Sequence, residues 1–588
     1  MKNKNLSKLE FRGLKVFVLL GMLSCALSMS AQINIQGKVI DQNNEPLTGV
    51  TVMIKGTSIG TITDINGNFS LSVPDQKAVL VFSFVGYQKQ EVPVGTSRQL
   101  TITMIEEPKL LQEVVVVGYG TQKKVSVTGS ISQISGAEML KAPPVNLSQM
   151  LGGRVTGLVT RQSSGIPGSD DASMVIRGIT TTSGATDPMI IIDGVPRSFN
   201  QLDPNEIESI SILKDAAAAA VYGIQGANGV ILVTTKKGME MKPQITYSGN
   251  FEINQNTSFP KFMNGPQYAY YWNKALEMDE QAPVFTEEMV NKMINGDPEG
   301  VYGNTNWVDE IFKTGQTQHH NLSATGGTKD VKYYMMIGYY DQKGNVKNFD
   351  FNRYNVRSNI DANIVKGLTA NFNIGARKEN RNRPYFGAGK NEYMSIIQQA
   401  IRAHPYVPLT YNGLPTATKT ASAQVSPVAA RDLSGFNDSE MSVFQSNFAL
   451  NWEIPWLKGL SARAMGSFDR DYTHSKVFKT PFQVSLASRP TPTYPSLKYE
   501  TMYPVAIGNV ATMSEGFAEA TRITFQGQIN YAQTFGKHDI SALALWEQSN
   551  YIYKQFNVNV KDFDFYDFAE LNHAKSIADQ NQFSGSSK

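Results

Sequence analysis

Leu213-Lys-Asp-Ala-Ala-Ala-Ala-Ala-Val-Tyr-Gly-Ile-Gln-Gly-Ala-Asn-Gly-Val-Ile-Leu-Val-Thr-Thr-Lys-Lys-Gly238 is the stretch on which the reading of this chain turns. Its five alanines predict a short helix able to pack closely on a backbone, because Ala combines the best helix propensity with little bulk. Gly223, Gly226 and Gly229 permit tight turning and positive φ. Val230–Thr235 is β-branched and reads as a strand. Alone, the segment is a helix–loop–strand unit of any α/β domain, and its neighbours must decide.

The preceding hundred or so residues repeat its mixed character. Val145–Leu158 reads as a helix with a glycine stop followed by a strand. Met174–Gly178 and Pro188–Pro196 read as strands ending in turns, and Leu202–Asp215 as a capped turn and a strand. Strands alternating with short helices predict a mixed α+β domain. Together these segments resemble the plug domain of TonB-dependent outer-membrane receptors, and within that group the SusC/RagA-like family. Ala217, Val221, Ile224 and Gln225 depart from the pattern of that family, which has Ser, Ile, Ser and Arg there. The resemblance places a plug at 125–240. It implies a plug motif of Arg177, Gly178, Asp193, Gly194, Lys214, Asp215, Tyr222, Gly223, Gly226, Asn228 and Gly229. Arg177, Asp193, Lys214 and Asp215 are candidate ion-pair residues, and each reads equally well as a solvated turn charge.

Ahead of the plug the chain divides in three. Lys2, Lys4, Lys8, Arg12 and Lys15 precede the apolar run Val16–Leu27, which is too short to span a bilayer, and small residues end at Ala31. That is a secretory signal, 1–31, with a faint lipoprotein-like Leu23-Ser24-Cys25. Residues 32–107 alternate as short strands between turns and predict an antiparallel β-sandwich. Gly60–Ser70 and Phe84–Tyr87 resemble the carboxypeptidase-regulatory-like domain, a non-catalytic accessory. Asp64, Asn66 and Asn68 begin like a calcium loop, but the closing Glu is missing and a hairpin turn is expected. The segment 111–120 then offers an apolar strand beside glycines. Glu113, Val114, Val115, Val116, Val117, Gly118, Tyr119 and Gly120 resemble a TonB box, an extended segment suited to joining a partner's sheet edge. A last strand of the sandwich is the other reading of those residues.

From about residue 245 long period-two strands dominate. Tyr354, Val356, Ser358, Ile360, Ala362 and Ile364 share one face, and Asn355, Arg357, Asn359, Asp361 and Asn363 the other. The same split recurs at 368–377, 444–454 and 523–531. One apolar and one polar face fit a transmembrane barrel with lipid outside and a wet lumen. Short turns near 326–330, 365–367, 455–458 and 534–538 alternate with longer connections at 256–316, 343–350, 379–441 and 471–519, the short-periplasmic, long-external pattern of such barrels. Asn304–Gly315 also resembles the family. Tyr393, Ile396, Ile397, Ala400 and Ile401 fall at helix spacing, as loop packing or as a ligand wall. Tyr385, Phe386, Tyr393 and Tyr411 are aromatics suited to sugar or peptide, with nothing to choose among them. About nine strands are legible over 245–588, whereas the family implies about 22, so the expectation is the N-terminal part of a longer receptor.

The fold class expected is therefore mainly β: sandwich, α+β plug and the first part of an antiparallel barrel. A net charge of +3 over 588 residues, with 18% charged, gives no sign of nucleic-acid binding. Cys25 is the single cysteine and lies in the signal, leaving no disulfide or thiolate afterwards. His319, His320, His404, His474, His538 and His573 form no metal spacing, Gly129-Ser130-Ile131 lacks a nucleophile elbow, and no phosphate loop is present. No enzyme, cofactor or metal is expected. The resemblance implies TonB, a SusD-like surface lipoprotein, a glycan or peptide substrate and outer-membrane lipid as partners, with the N-terminal domain periplasmic. A signal-transducing receptor of the same architecture and a surface adhesin are the alternatives.

Overall fold

The computed structural model describes residues 33–588 apart from 42–43, 58, 85–86, 106–113, 118–119, 124–130, 142–145, 179–185, 200–201, 387–391, 420–424, 537, 576–581 and 588. The expected signal segment therefore lies outside the described residues, as do Glu113, Gly118 and Tyr119 of the TonB-box-like stretch. The chain forms two compact units, Met1–Val114 with Lys123–Val125, and Val115–Gln122 with Ser126–Lys588.

In the first unit, β1 (Ile33–Ile40), β2 (Thr51–Ile54), β3 (Gly60–Ile62), β4 (Asn68–Val73), β5 (Val79–Ser83), β6 (Gln90–Pro93) and β7 (Gln99–Thr103) make two sheets, ordered β4-β1-β7 and β3-β2-β5-β6. Alternation puts Ile35, Val39, Val52, Phe69, Leu71, Leu80 and Phe82 into one core. The sandwich is not wholly antiparallel as expected, because β1 pairs with β7 in parallel. The alternating pattern sets which face is buried and leaves strand direction open. Asp64 serves a turn: its Oδ1 accepts the backbone N–H groups of Asn66 and Asn68 at 2.9 and 2.8 Å. The Asn68 bond leads in holding that carboxyl below its usual range. Beyond the sandwich, β8 (Val114–Val117) and β9 (Gly120–Lys123) pair with each other in a two-stranded sheet of their own.

The second unit begins with the mixed domain. Its main sheet runs β10 (Ile131–Ser135), β15 (Ile207–Leu213), β16 (Val230–Thr235), β13 (Met189–Ile192), β14 (Val195–Pro196). Beside it β11 (Leu158–Gln162) and β12 (Ala172–Ile176) form a hairpin. Leu213–Gly238 lies at the centre of the main sheet. Asp215 accepts the Ala218 N–H at 2.7 Å and caps the helix Ala216–Ala219. The fifth alanine already belongs to a 3-10 stretch, Ala220–Gly226, broken at Gly223 with φ 57° and ψ −145°. Gly229, at φ 87°, passes under Ile176, where a Cβ would come within 2.7 Å of its Cδ1. β16 follows, with Val230, Ile231, Leu232 and Val233 all buried between β15 and β13.

A ten-stranded antiparallel sheet forms the rest. In order it comprises β17 (Met241–Asn254), β18 (Gly315–Gly327), β19 (Val331–Lys343), β20 (Asp350–Val365), β21 (Leu368–Asn382), β24 (Gly435–Glu453), β25 (Leu460–Lys479), β28 (Thr512–Phe535), β29 (His538–Lys561) and β30 (Gln582–Ser587). A small sheet of β22 (Thr410–Tyr411), β23 (Leu414–Thr418), β26 (Val484–Ala487) and β27 (Tyr499–Met502) lies within the long connections. The helices Gly265–Met278, Glu287–Asn295, Trp307–Ile311, Glu392–Arg402 and Pro427–Asp432 lie there too. The alternating faces separate as expected: Ile337, Tyr354, Val356, Phe372, Phe448 and Leu450 are exposed, while Asn355, Arg357, Asn359, Gln445, Asn447 and Gln526 are buried.

Three expectations are corrected. The sheet has ten strands and not nine, because the polar tail contributes β30 through backbone pairing that needs no apolar pattern. The connection 344–349 is no longer than the turn 454–459, since strands run further than their apolar alternation. The polar face is not simply a wet lumen, because the mixed domain covers part of it. Of the loop aromatics, Phe386 and Tyr393 join a loop core with Ile396 and Ala400, and Tyr411 stacks on Tyr499 at 4.1 Å.

Candidate functional site

The chemistry of the chain concentrates where the mixed domain meets the polar face of the long-stranded sheet. Two short turns of the domain supply it. In the 3-10 turn Pro204–Glu206, residues three apart eclipse, so Asp203 and Glu206 face the same way. On β20, residues two apart share a face, so Arg353, Asn355, Arg357 and Asn359 form a row. The two periods meet. Asp203 Oδ2 accepts from His319 Nε2 at 2.7 Å and Arg353 Nη2 at 3.0 Å, while its Oδ1 caps the turn at the Asn205 N–H. Glu206 Oε2 accepts from Arg357 Nε at 2.7 Å. Tyr334 donates to the Asn205 carbonyl at 3.2 Å. Asp203 and Glu206 are 1% and 2% exposed.

Burial alone raises both carboxyls. For Asp203 the hydrogen bond and charge of His319, with the Arg353 charge, outweigh it, and the pKa falls well below the usual carboxylate range. For Glu206 burial prevails over the Arg357 guanidinium, with the neighbouring Asp203 charge adding to it, and the pKa is raised. One carboxylate is thus firmly ionised while its neighbour is strained toward protonation.

The second turn is the two-residue hairpin between β13 and β14. Asp193 and Gly194 have φ of 51° and 87°, positive at both central positions as a type I′ turn requires, and Asp-Gly is a favoured pair for it. The wall grips this hairpin on every side. Asn447 Nδ2 reaches the Asp193 carbonyl at 3.4 Å, Gln526 Nε2 the Gly194 carbonyl at 3.0 Å, and Arg522 Nη1 the Pro196 carbonyl at 2.6 Å. Arg197 closes a bidentate pair with Asp469, Nε–Oδ2 2.9 Å and Nη2–Oδ1 2.6 Å, the fork geometry that suits Arg to carboxylates. The Asp193 carboxylate turns the other way. It accepts the Thr235 N–H and hydroxyl at 3.0 and 2.8 Å and lies 3.7 Å from Arg357 Nη1. Asn359 completes the set by donating to Thr235 Oγ1 and the Lys236 carbonyl. A cavity of about 440 Å³ remains beside Arg197, lined by Gln225, Asp471, Arg522 and Tyr551.

The candidate ion-pair residues fall in different places. Asp193 reaches the wall. Lys214 stays within the domain, donating to Ser132 Oγ and to Thr156 Oγ1, and Asp215 caps its helix. Arg177 sits in an exposed turn at φ 57°. Gly178, Gly223 and Gly229 take positive φ, Gly226 and Tyr222 are buried, and Asn228 donates to the Asp187 carbonyl at 3.4 Å. Sequence reasoning missed Arg197, Asp203, Glu206, His319, Arg353 and Asp469. A signal existed: arginines on the asparagine-rich face of β20 are charges set inside a sheet, where a partner is needed. Among the described residues no cluster of His, Cys, Asp and Glu is arranged to hold a metal.

Residues 35–117 match the CarboxypepD_reg-like domain family, and residues 123–230 the TonB-dependent Receptor Plug Domain. The chain is 34% identical over 420 residues to TonB-dependent receptor SusC of Bacteroides thetaiotaomicron, covering 68% of this chain and 39% of that protein. It is 28% identical over 547 residues to TonB-dependent receptor P3 of Formosa agariphila, covering 92% of this chain and 50% of that one. Among solved structures, the RagAB peptide importer in its open-open state superposes with a TM-score of 0.65 at 23% identity, over 81% of this chain and 53% of that one. The chain thus spans about half or less of the length of the relatives it matches.

Proposed function

The chain belongs to the SusC/RagA-like TonB-dependent receptors, and from that premise we propose that it serves TonB-driven import of a glycan or oligopeptide nutrient across the outer membrane. The observation that carries the reading is the plug's seat on the barrel wall, in which Asp203–His319–Arg353 and Glu206–Arg357 are buried ion pairs that hold the plug against the sheet. Leaving a buried charge without its partner costs about 3–5 kcal/mol, so the plug stays seated and closed until an outside energy source acts on it. In the proposed cycle a substrate binds on the outer side, with a SusD-like lipoprotein as partner. The segment Glu113–Gly120 is then presented in the periplasm, where the N-terminal domain also lies. A strand of TonB pairs with it by edge addition; β8, whose described partner is β9 alone, is extended as that requires. Tension drawn from the inner-membrane proton gradient rearranges the plug.

Deletion of residues 113–120 tests this. Substrate binding to cells is expected to persist while accumulation falls to the level of a strain lacking TonB. Uptake that survives the deletion refutes the assignment.

A further inference from the structure

We propose that the tip of the plug hairpin β11–β12 is a latch for the outer loop layer, so that the loops stay packed only while the plug is seated. The proposal rests on the receptor reading for the side of the membrane that the loops face. The sequence sets up the tip. In Ile166-Pro167-Gly168-Ser169 proline holds the second position of a turn and glycine the third, with Gly168 at φ 67°. The Ser169 N–H donates to the Ile166 carbonyl at 2.9 Å. Those are the requirements of a type II turn. Ile166 and Pro167 are both buried, so the tip is held inside protein.

What buries Ile166 is not the plug. The plug core gathers Leu147, Met150, Leu158, Met174 and Ile176 and leaves Ile166 out. Ile166 belongs instead to the loop core, with Trp307, Phe349, Ile396 and Val484, one from each of the four connections on that side of the sheet. Among the described residues it is the member of that core that the plug supplies.

The residues beyond it fix the turn to the wall. A Cβ built at Gly344 would lie 3.2 Å from Pro167 Cγ, and one at Gly168 would lie 2.3 Å from the Phe351 ring. Both contacts need the close approach that glycine permits. Arg381 Nε donates to the Gly168 carbonyl at 2.8 Å, and its guanidinium lies over the Phe351 ring at 5.4 Å. The root of the hairpin is tied to the plug. Gln149 Nε2 donates to the Asp170 carbonyl at 2.6 Å and to its carboxylate at 3.1 Å, and Ser148 Oγ accepts the Ala172 N–H at 2.9 Å. Ser148 and Gln149 lie in the helix Leu147–Met150, which is packed into the plug core. An arm rooted in one core with its tip in another carries displacement between them. Withdrawing Ile166 leaves a cavity at a point the four connections share, and packed cores collapse onto such cavities only in part. The coupling is reciprocal: loops that stay packed resist the departure of the plug.

Pulse proteolysis in urea on the detergent-solubilised full chain reads both parts at once. Cuts within 383–434 and 480–511 report the loops, and cuts within 131–235 the plug. Arg357→Met loosens the plug from the wall without touching the loop core. The loop midpoint is expected to fall together with the plug midpoint, by about 2 M. Ile166→Ala alone should lower the loop midpoint by about 1 M. Once Ile166→Ala is in place, Arg357→Met should move the plug midpoint and no longer the loop midpoint. Ile166→Val, a smaller loss, should give the same pattern at lower amplitude and replaces the alanine variant where that one fails to fold. Loops that keep their midpoint while the plug loses its own overturn the proposal, and so do loops that still follow the plug after Ile166→Ala. Uptake after deletion of residues 113–120 reads the receptor assignment separately. Surviving uptake sinks that assignment and leaves the loop midpoints standing, whereas independent loop midpoints sink the latch alone.

Discussion

Replacing Arg357 by Met should loosen the plug more than any other single change on the wall. Arg357 is 2% exposed and serves two plug carboxylates, Glu206 Oε2 at 2.7 Å and Asp193 Oδ2 at 3.7 Å. Methionine keeps the stem and removes the charge. At an effective dielectric constant of about 20, unit charges about 4 Å apart attract by about 4 kcal/mol. That agrees with the loss of about 3–5 kcal/mol seen when one partner of a buried pair is removed. With a urea dependence of about 2 kcal/mol per molar, the midpoint for plug unfolding, followed by protease sensitivity of residues 131–235, should fall by about 2 M at pH 7. The double variant Arg357→Met with Glu206→Gln should recover most of it, since the orphaned charge is gone. Acid should help the single variant. Glu206 already has a raised pKa, and a group raised on folding adds stability below its unfolded value that is lost as pH rises through the folded one. The Arg357→Met defect should therefore shrink as pH falls toward 4.5, the ordinary value for a glutamate carboxyl. A midpoint unchanged at pH 7, or a double variant weaker than the single, refutes the reasoning.

Two further outcomes follow from the same interface. Arg197→Lys loses the bidentate fork to Asp469 and the bond to Asn447; a point charge replaces a planar donor, and the urea midpoint should drop by about 1 M, an unchanged midpoint arguing against the pairing. Gly229→Ala forces a Cβ to within 2.7 Å of Ile176 at φ 87°, and a plug destabilised by about 2–3 kcal/mol is expected in calorimetry, with wild-type melting as the contrary result.

Much of the fold was legible because it obeys short periods. The two-residue repeat of β20 sorted Tyr354 and Val356 from Asn355 and Arg357 correctly, since one face meets apolar surroundings and the other does not. The Ile192-Asp193-Gly194-Val195 hairpin was legible as a turn because its backbone demands residues tolerant of positive φ. The seat was not legible as a unit. Its members are scattered over Asp203, His319, Arg353 and Asp469, and no local rule relates a 3-10 turn to a strand 150 residues later. The motif residues and the seat are also different sets. Lys214, Asp215, Gly223 and Gly229 keep the plug itself in shape, and of the ion-pair candidates Asp193 is the one whose described contacts include the wall. A pattern of motif residues reported the domain's internal geometry, which local sequence encodes. The wall contacts depend on where the sheet brings its rows.

The order of the plug sheet gives the seat a mechanical sense under the proposed cycle. The wall grips the β13–β14 hairpin at one edge, and the chain arriving from Glu113–Gly120 enters at the other edge, through β10. Tension on the N-terminal side therefore meets the ladder between β10 and β15 before it meets the anchors at Arg197 and Asp193. That ladder is five residue pairs long, Ile131 with Leu213 through Ser135 with Ser209, and an edge strand has neighbours on one side only. Peeling β10 needs no rupture of the buried ion pairs, so a path can open while the plug stays anchored. Gln133 and Ser211 are opposed in this ladder, within the spacing a disulfide needs. The pair Gln133→Cys with Ser211→Cys, once oxidised, should stop uptake without changing substrate binding, and reduction should restore it. Full uptake by the oxidised protein would show that β10 stays in place and that the plug leaves the wall as a body, at the expense of the Arg357 and Arg197 contacts instead.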